Sequence, residues 1–310
     1  MRAALVGLIF VAAVSAACGP SHGPGAGDDV NEGLVSIDVN PPNQTLTYAG
    51  TPATVAYTAT GHFSDGSTRV IDPGDVAFSL DADGETLGTI TNGTFTALGT
   101  AAGKGGVEAT VGTIVGSTSV MVVVHTTQFG SGVDPAAGSN FGADPIATGG
   151  AGEQTIDYPL DGAVMPSSVK APHVMWEGPS AAADLVRVRW TAGAATLDTI
   201  LAVADPATFT ADLQPSDADW QTLLASAQGE PISVEVDHWD ATNGPTGGTA
   251  VSVKIVTADV VGAIYYWDLS QGRMQRIDEN GRALAIPNPP TSINGSAEAG
   301  DQCVACHSIS

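Results

Sequence analysis

The sequence predicts an all-β protein: two tandem two-sheet sandwiches joined by flexible linkers, one short helix in the second sandwich, and a disordered N-terminus. Three observations lead there. Val, Ile and Thr recur in short alternating runs, and 38 glycines and 19 prolines divide those runs into strand-sized pieces. The hydrophobic fraction is 43% against a charged fraction of 14%, so the chain has enough apolar surface to pay the entropy of ordering. Short strands bounded by turn residues at regular spacing are what a sandwich requires.

Residues 1–17 read as a secretory signal. Arg2 supplies a positive charge, Ala3 to Val14 is apolar and uncharged, and Ser15-Ala16-Ala17 is a small-residue exit. The apolar run falls short of the ~20 residues that span a bilayer. A cut near Ala17 without lipid, or an N-terminal anchor helix, stands beside this reading. The small-small-Cys ending at Cys18 resembles a bacterial lipobox, with Ser15 where that family prefers leucine. The resemblance implies lipid on Cys18, a membrane as partner, and a place in the cell envelope, at the periplasmic or surface face of the outer membrane. Residues 18–33 are a Gly/Pro/Asp/Ser-rich tether without apolar periodicity.

Residues 34–125 carry the first sandwich. Val35-Ser36-Ile37-Asp38-Val39 alternates as a strand with one buried face should. Further strands are expected at 54–60, 76–80, 88–90, 94–97, 107–111 and 117–124, separated by Asp-Gly, Asn-Gly and Gly-Gly turns. Gly61-His62-Phe63-Ser64-Asp65-Gly66-Ser67, Gly93-Thr94-Phe95-Thr96-Ala97 and Glu108-Ala109-Thr110-Val111 resemble the bacterial immunoglobulin-like group 2 domain. Phe78 stands where that family often has tryptophan. The resemblance implies an extracytoplasmic spacer or adhesion module with a protein or glycan partner, and it brings no catalytic residues. A Gly/Ala/Pro linker is expected over 126–154, where Asp134-Pro135 and Asp144-Pro145 oppose helix.

Residues 155–260 carry the second sandwich, with strands at 174–177, 185–190, 232–236 and 251–256. Leu185 to Trp190 alternates, and Arg187 and Arg189 are expected on its solvent side. Ser216 caps a helix that places Trp220, Leu223 and Leu224 on one face. The proline-opened start, the tryptophan-bearing strand at Trp176 and the strand pair resemble a fibronectin-type-III sandwich with an inserted helix. Residues 261–310 open with a hairpin, 263–268 against 272–277, whose Tyr265-Tyr266-Trp267 fits a packed strand or a stacking surface.

The chemistry sits at the C-terminus. Cys303-Val304-Ala305-Cys306-His307 is C-x-x-C-H, the attachment pattern of c-type haem. One turn of backbone offers two thiols to the two vinyl groups and the next imidazole to the iron. The motif resembles the start of a c-type cytochrome, which implies haem c held by Cys303 and Cys306, His307 as axial ligand to the metal, and a redox partner. A thiol or disulfide pair and a partial zinc site are the other readings of the same spacing. Of three cysteines, one fits lipid and two fit haem. Only Ser308 to Ser310 follow, so the chain reads as an N-terminal fragment of a longer protein. The run from Gly262 through Tyr265-Tyr266-Trp267 to this motif resembles multidomain lipoproteins that continue into a TolB-like β-propeller.

Other candidates are weaker. Thirty-three acidic residues against ten basic give a net charge of −23, which disfavours nucleic acid. Gly99 to Lys104 lacks the spacing and the Ser/Thr of a P-loop. Asp81-Ala82-Asp83-Gly84-Glu85 fits a solvated turn or a weak calcium loop. His62, His125, His173 and His238 are scattered, and no G-x-S-x-G or H-E-x-x-H occurs. The sequence therefore reads as a non-enzymatic, exported, tethered protein serving electron transfer or as a scaffold. An extracellular adhesin without haem is the alternative.

Overall fold

Alternation of small β-branched and polar residues builds the strands, and the side chains that alternate inward form the core. The computed structural model describes residues 31–142, 145–150, 152–177, 184–258, 264–268, 273–277 and 283–285. The first sandwich comprises β1 (Leu34–Asn40), β2 (Gln44–Tyr48), β3 (Thr54–Ala56), β4 (Thr58–Phe63), β5 (Thr68–Val70), β6 (Ala77–Leu80), α1 (Ala82–Leu87), β7 (Gly88–Thr91), β8 (Thr94–Ala97), β9 (Gly103–Val111) and β10 (Ile114–Phe129). Strands β1-β4-β5 and β3-β8-β7 pack over β6-β9-β10-β2. Ile37, Val39, Phe95, Val107, Val120 and Val122 are buried between them. β2 pairs with β10 in parallel, Gln44 opposite Val120 through Tyr48 opposite Val124.

The Asp81 loop is a capped turn of helix. Asp81 Oδ1 accepts the Gly84 N–H at 2.7 Å and the Gly106 N–H at 2.8 Å, so the carboxylate is spent on α1 and β9. These backbone bonds hold it below the usual carboxylate range. Among the described residues, no cluster of three or more His, Cys, Asp or Glu is placed to hold a metal ion.

The second sandwich comprises β11 (Ile156–Tyr158), β12 (Ala163–Pro166), β13 (Val174–Trp176), β14 (Leu185–Ala192), β15 (Ala195–Ala202), β16 (Asp212–Leu213), α2 (Asp217–Ala227), β17 (Ile232–Asp240), β18 (Gly244–Thr246) and β19 (Val251–Val256). β11-β13-β16 packs on β12-β19-β17-β14-β15. The Ser216 hydroxyl accepts the Asp219 N–H at 3.1 Å and donates to the Asp219 carboxylate at 2.6 Å, which fixes the start of α2. Gln228 ends the helix in the left-handed region at φ 48°. Trp220 and Leu223 are buried and Leu224 half-buried. The Trp220 ring meets Trp190 edge-on at 5.8 Å. A separate meander, β20 (Ile264–Asp268), β21 (Arg273–Ile277) and β22 (Ala283–Ala285), follows.

The sandwiches are not beads on a string. β10 is 16 residues long and continues past Val124 into the stretch expected to be linker. There Val124 to Phe129 pair in parallel with Ala195 to Ile200 of β15. One ten-stranded sheet runs through both halves. Its interior is one continuous core. Two further links lock the junction: the Ser226 hydroxyl on α2 accepts the buried Ala102 N–H at 2.8 Å, and Gln128 Nε2 donates to Asp219 at 2.9 Å.

Candidate functional site

Cys18, Cys303, Cys306 and His307 lie outside the described residues. Within them, charge concentrates on the outer face of β14, β15 and β17. Arg187 and Arg189 are buried there, 4% and 7% exposed, which corrects the expectation that they face solvent. The alternation is real, with Val186, Val188 and Trp190 on the core side. The second face is covered as well, by the segment expected to be a free linker. Its short 3-10 turn, Pro135–Phe141, is capped by Asp134, whose carboxylate accepts the Ala136 N–H at 2.9 Å. That turn lays Phe141 over the sheet with Leu185 and Ile200, and the Arg187 guanidinium sits 5.0 Å from the Phe141 ring centroid.

Each arginine meets a carboxylate directly across the ladder. Arg187 is opposite Asp237 and donates to it from Nε at 2.8 Å and Nη2 at 2.6 Å. Arg189 is opposite Asp198 and binds it with two parallel bonds, 2.7 and 2.8 Å. His125 Nε2 lies 3.2 Å from the same Asp198 carboxylate. Asp237 also accepts the Gly248 N–H at 3.1 Å. Burial pushes the Asp237 carboxyl above its ordinary range, although Arg187 pulls the other way. Matched pairs of this kind make a covered charged face tolerable.

The other three described histidines are also held by aspartates. His238 Nε2 is 2.8 Å from Asp184 in the interior. His173 Nδ1 is 2.8 Å from Asp212. His62 Nε2 is 2.8 Å from Asp38, and its Nδ1 is 3.2 Å from the Thr68 hydroxyl. Thr68, His62 and Asp38 lie across β5, β4 and β1 in an order that evokes a nucleophile, base and acid. They stand on an exposed sheet face, with Asp38 65% exposed, so water solvates the pair. The structure does not gather the four histidines into one site, and His238-Trp239-Asp240 is not a dyad, because His238 turns to Asp184. Asp240 instead caps the turn before β18 through the Thr242 and Asn243 N–H groups, both at 2.7 Å.

Two open clefts flank the second sandwich. One, about 390 Å³, lies between Ser131, the end of β15 and the loop from Asp205 to Leu213. The other, about 430 Å³, lies between Ser167 to Lys170 and the first turn of α2. Neither includes a histidine. Strand parity could have revealed the Arg–Asp ladder, since Asp198 and Asp237 fall on the same face of their strands as Arg187 and Arg189. The His–Asp pairs left no local signal.

No protein-family model matches the chain, and no curated protein matches it. Solved structures of tandem sandwiches do. The titin Ig tandem A164-A165 is 12% identical, over 72% of this chain and 98% of that one, with a TM-score of 0.21. Domains 5-6 of the S-layer protein SbsC are 13% identical, over 73% and 98%, with a TM-score of 0.21. The fibronectin(III)-like modules of Clostridium thermocellum CbhA are 13% identical, over 71% and 93%, with a TM-score of 0.20. The fold assignment rests on strand order and pairing: the chain is two Ig-like or fibronectin-III-like sandwiches.

Proposed function

We propose that this chain is an exported, non-enzymatic mount, fixed to a membrane through lipid on Cys18, that carries a c-type haem at its C-terminal motif for electron transfer. The observation that supports a mount is β10, which runs through both sandwiches and makes one sheet of them. A body joined in this way holds what is attached to it at a set place, where a linker-joined pair would let it wander. The buried charged groups of β14, β15 and β17 are engaged with one another in the Arg–Asp and His–Asp pairs.

The donor set fits the group. Cys303 and Cys306 supply two thiols for thioether bonds, and His307 supplies an imidazole for the iron. Bound there, haem would supply one-electron Fe(II)/Fe(III) chemistry. Export fits the motif, because covalent attachment takes place outside the cytoplasm. Coexpression of the full chain with a periplasmic haem-attachment system tests this reading. The pyridine haemochrome spectrum should show one covalent haem per chain, lost in Cys303→Ser and Cys306→Ser, and Cys18→Ser should release the protein from the membrane fraction. A correctly exported full chain without covalent haem overturns the proposal.

A scaffold without haem is the second reading, and the 390 Å³ cleft beside Phe209 favours it. It requires that deletion of 303–310 leave partner binding unchanged.

A further inference from the structure

We draw no further inference here: the strongest candidate, the open cleft between Ser131, the end of β15 and the loop from Asp205 to Leu213, carries nothing, because its carboxylates Asp205 and Asp212 already bond the Ala207 N–H and His173 and nothing in the structure shows what fills it.

Discussion

Ser226→Ala is the most direct probe of the junction. The Ser226 hydroxyl accepts the Ala102 N–H at 2.8 Å, from a helix of one sandwich to a loop of the other, and donates to Thr222 C=O at 2.6 Å. Ser226 is 2% exposed and Ala102 1%. Removing the hydroxyl leaves a buried amide donor without its acceptor. An unsatisfied buried donor costs about 1–3 kcal/mol. The Thr222 carbonyl is a helical acceptor, so its loss is the smaller part. For a cooperative unit of this size each kcal/mol lowers Tm by roughly 2–4 °C, so the variant should melt about 4–8 °C lower if the cost is about 2 kcal/mol. Calorimetry on the mature chain should show one transition moving as a whole, with exposed Ser79→Ala as the unmoved control. Two separate transitions, or a shift under a degree, would refute the claim that this bond belongs to a shared unit.

Other perturbations probe the parts. Gly116→Ala should cost at least about 1–3 kcal/mol in urea unfolding, because a Cβ there would stand 2.2 Å from the Ile37 carbonyl oxygen. Leaving its midpoint unchanged would mean that β1 does not cross β10 so closely. Trp220→Ala removes the ring packed on Trp190 and should cost about 3–5 kcal/mol, with loss of the near-UV signal of the tryptophan pair. Asp81 titrates below its unfolded value when folded, so its stabilisation is full above the ordinary carboxylate pKa and fades as pH falls through the lower folded value. Asp81→Asn keeps a cap acceptor without the charge, and should flatten the stability-versus-pH curve in that acid window. A curve identical to wild type there would remove Asp81 from the acid response.

The fold class was legible because alternation is a local signal, and β1, β9 and β14 carry it plainly, as the Ser216 cap and helical spacing mark α2. β15 was not, although it joins the sandwiches. Ala195 to Ala202 places Leu197, Ile200 and Leu201 out of step with one another among alanine, threonine and one aspartate, so no clean alternation marks it, and its parallel contact with β10 bridges some 70 residues of chain. The burial of Arg187 and Arg189 was hidden for a related reason. Alternation separates two faces of a strand, but only tertiary structure decides whether the polar face is covered. Here the cover is a Gly/Ala/Pro segment that resembles a tether in composition and packs through Phe141, with Val133 and Ile146 beside it. The His–Asp pairs span 24 to 73 residues and leave no spacing to read.

Because the last third of β10 belongs to the second sandwich as much as the first, this pair has no seam at which recombination could cut. A crossover after Val124 would strip β15 of its neighbour and open a long bare sheet edge prone to sticking to other chains. One placed before residue 154 would uncover the arginines. Such an architecture should be inherited, lost and transplanted whole, and an engineer grafting it onto another anchor must move 31–258 together.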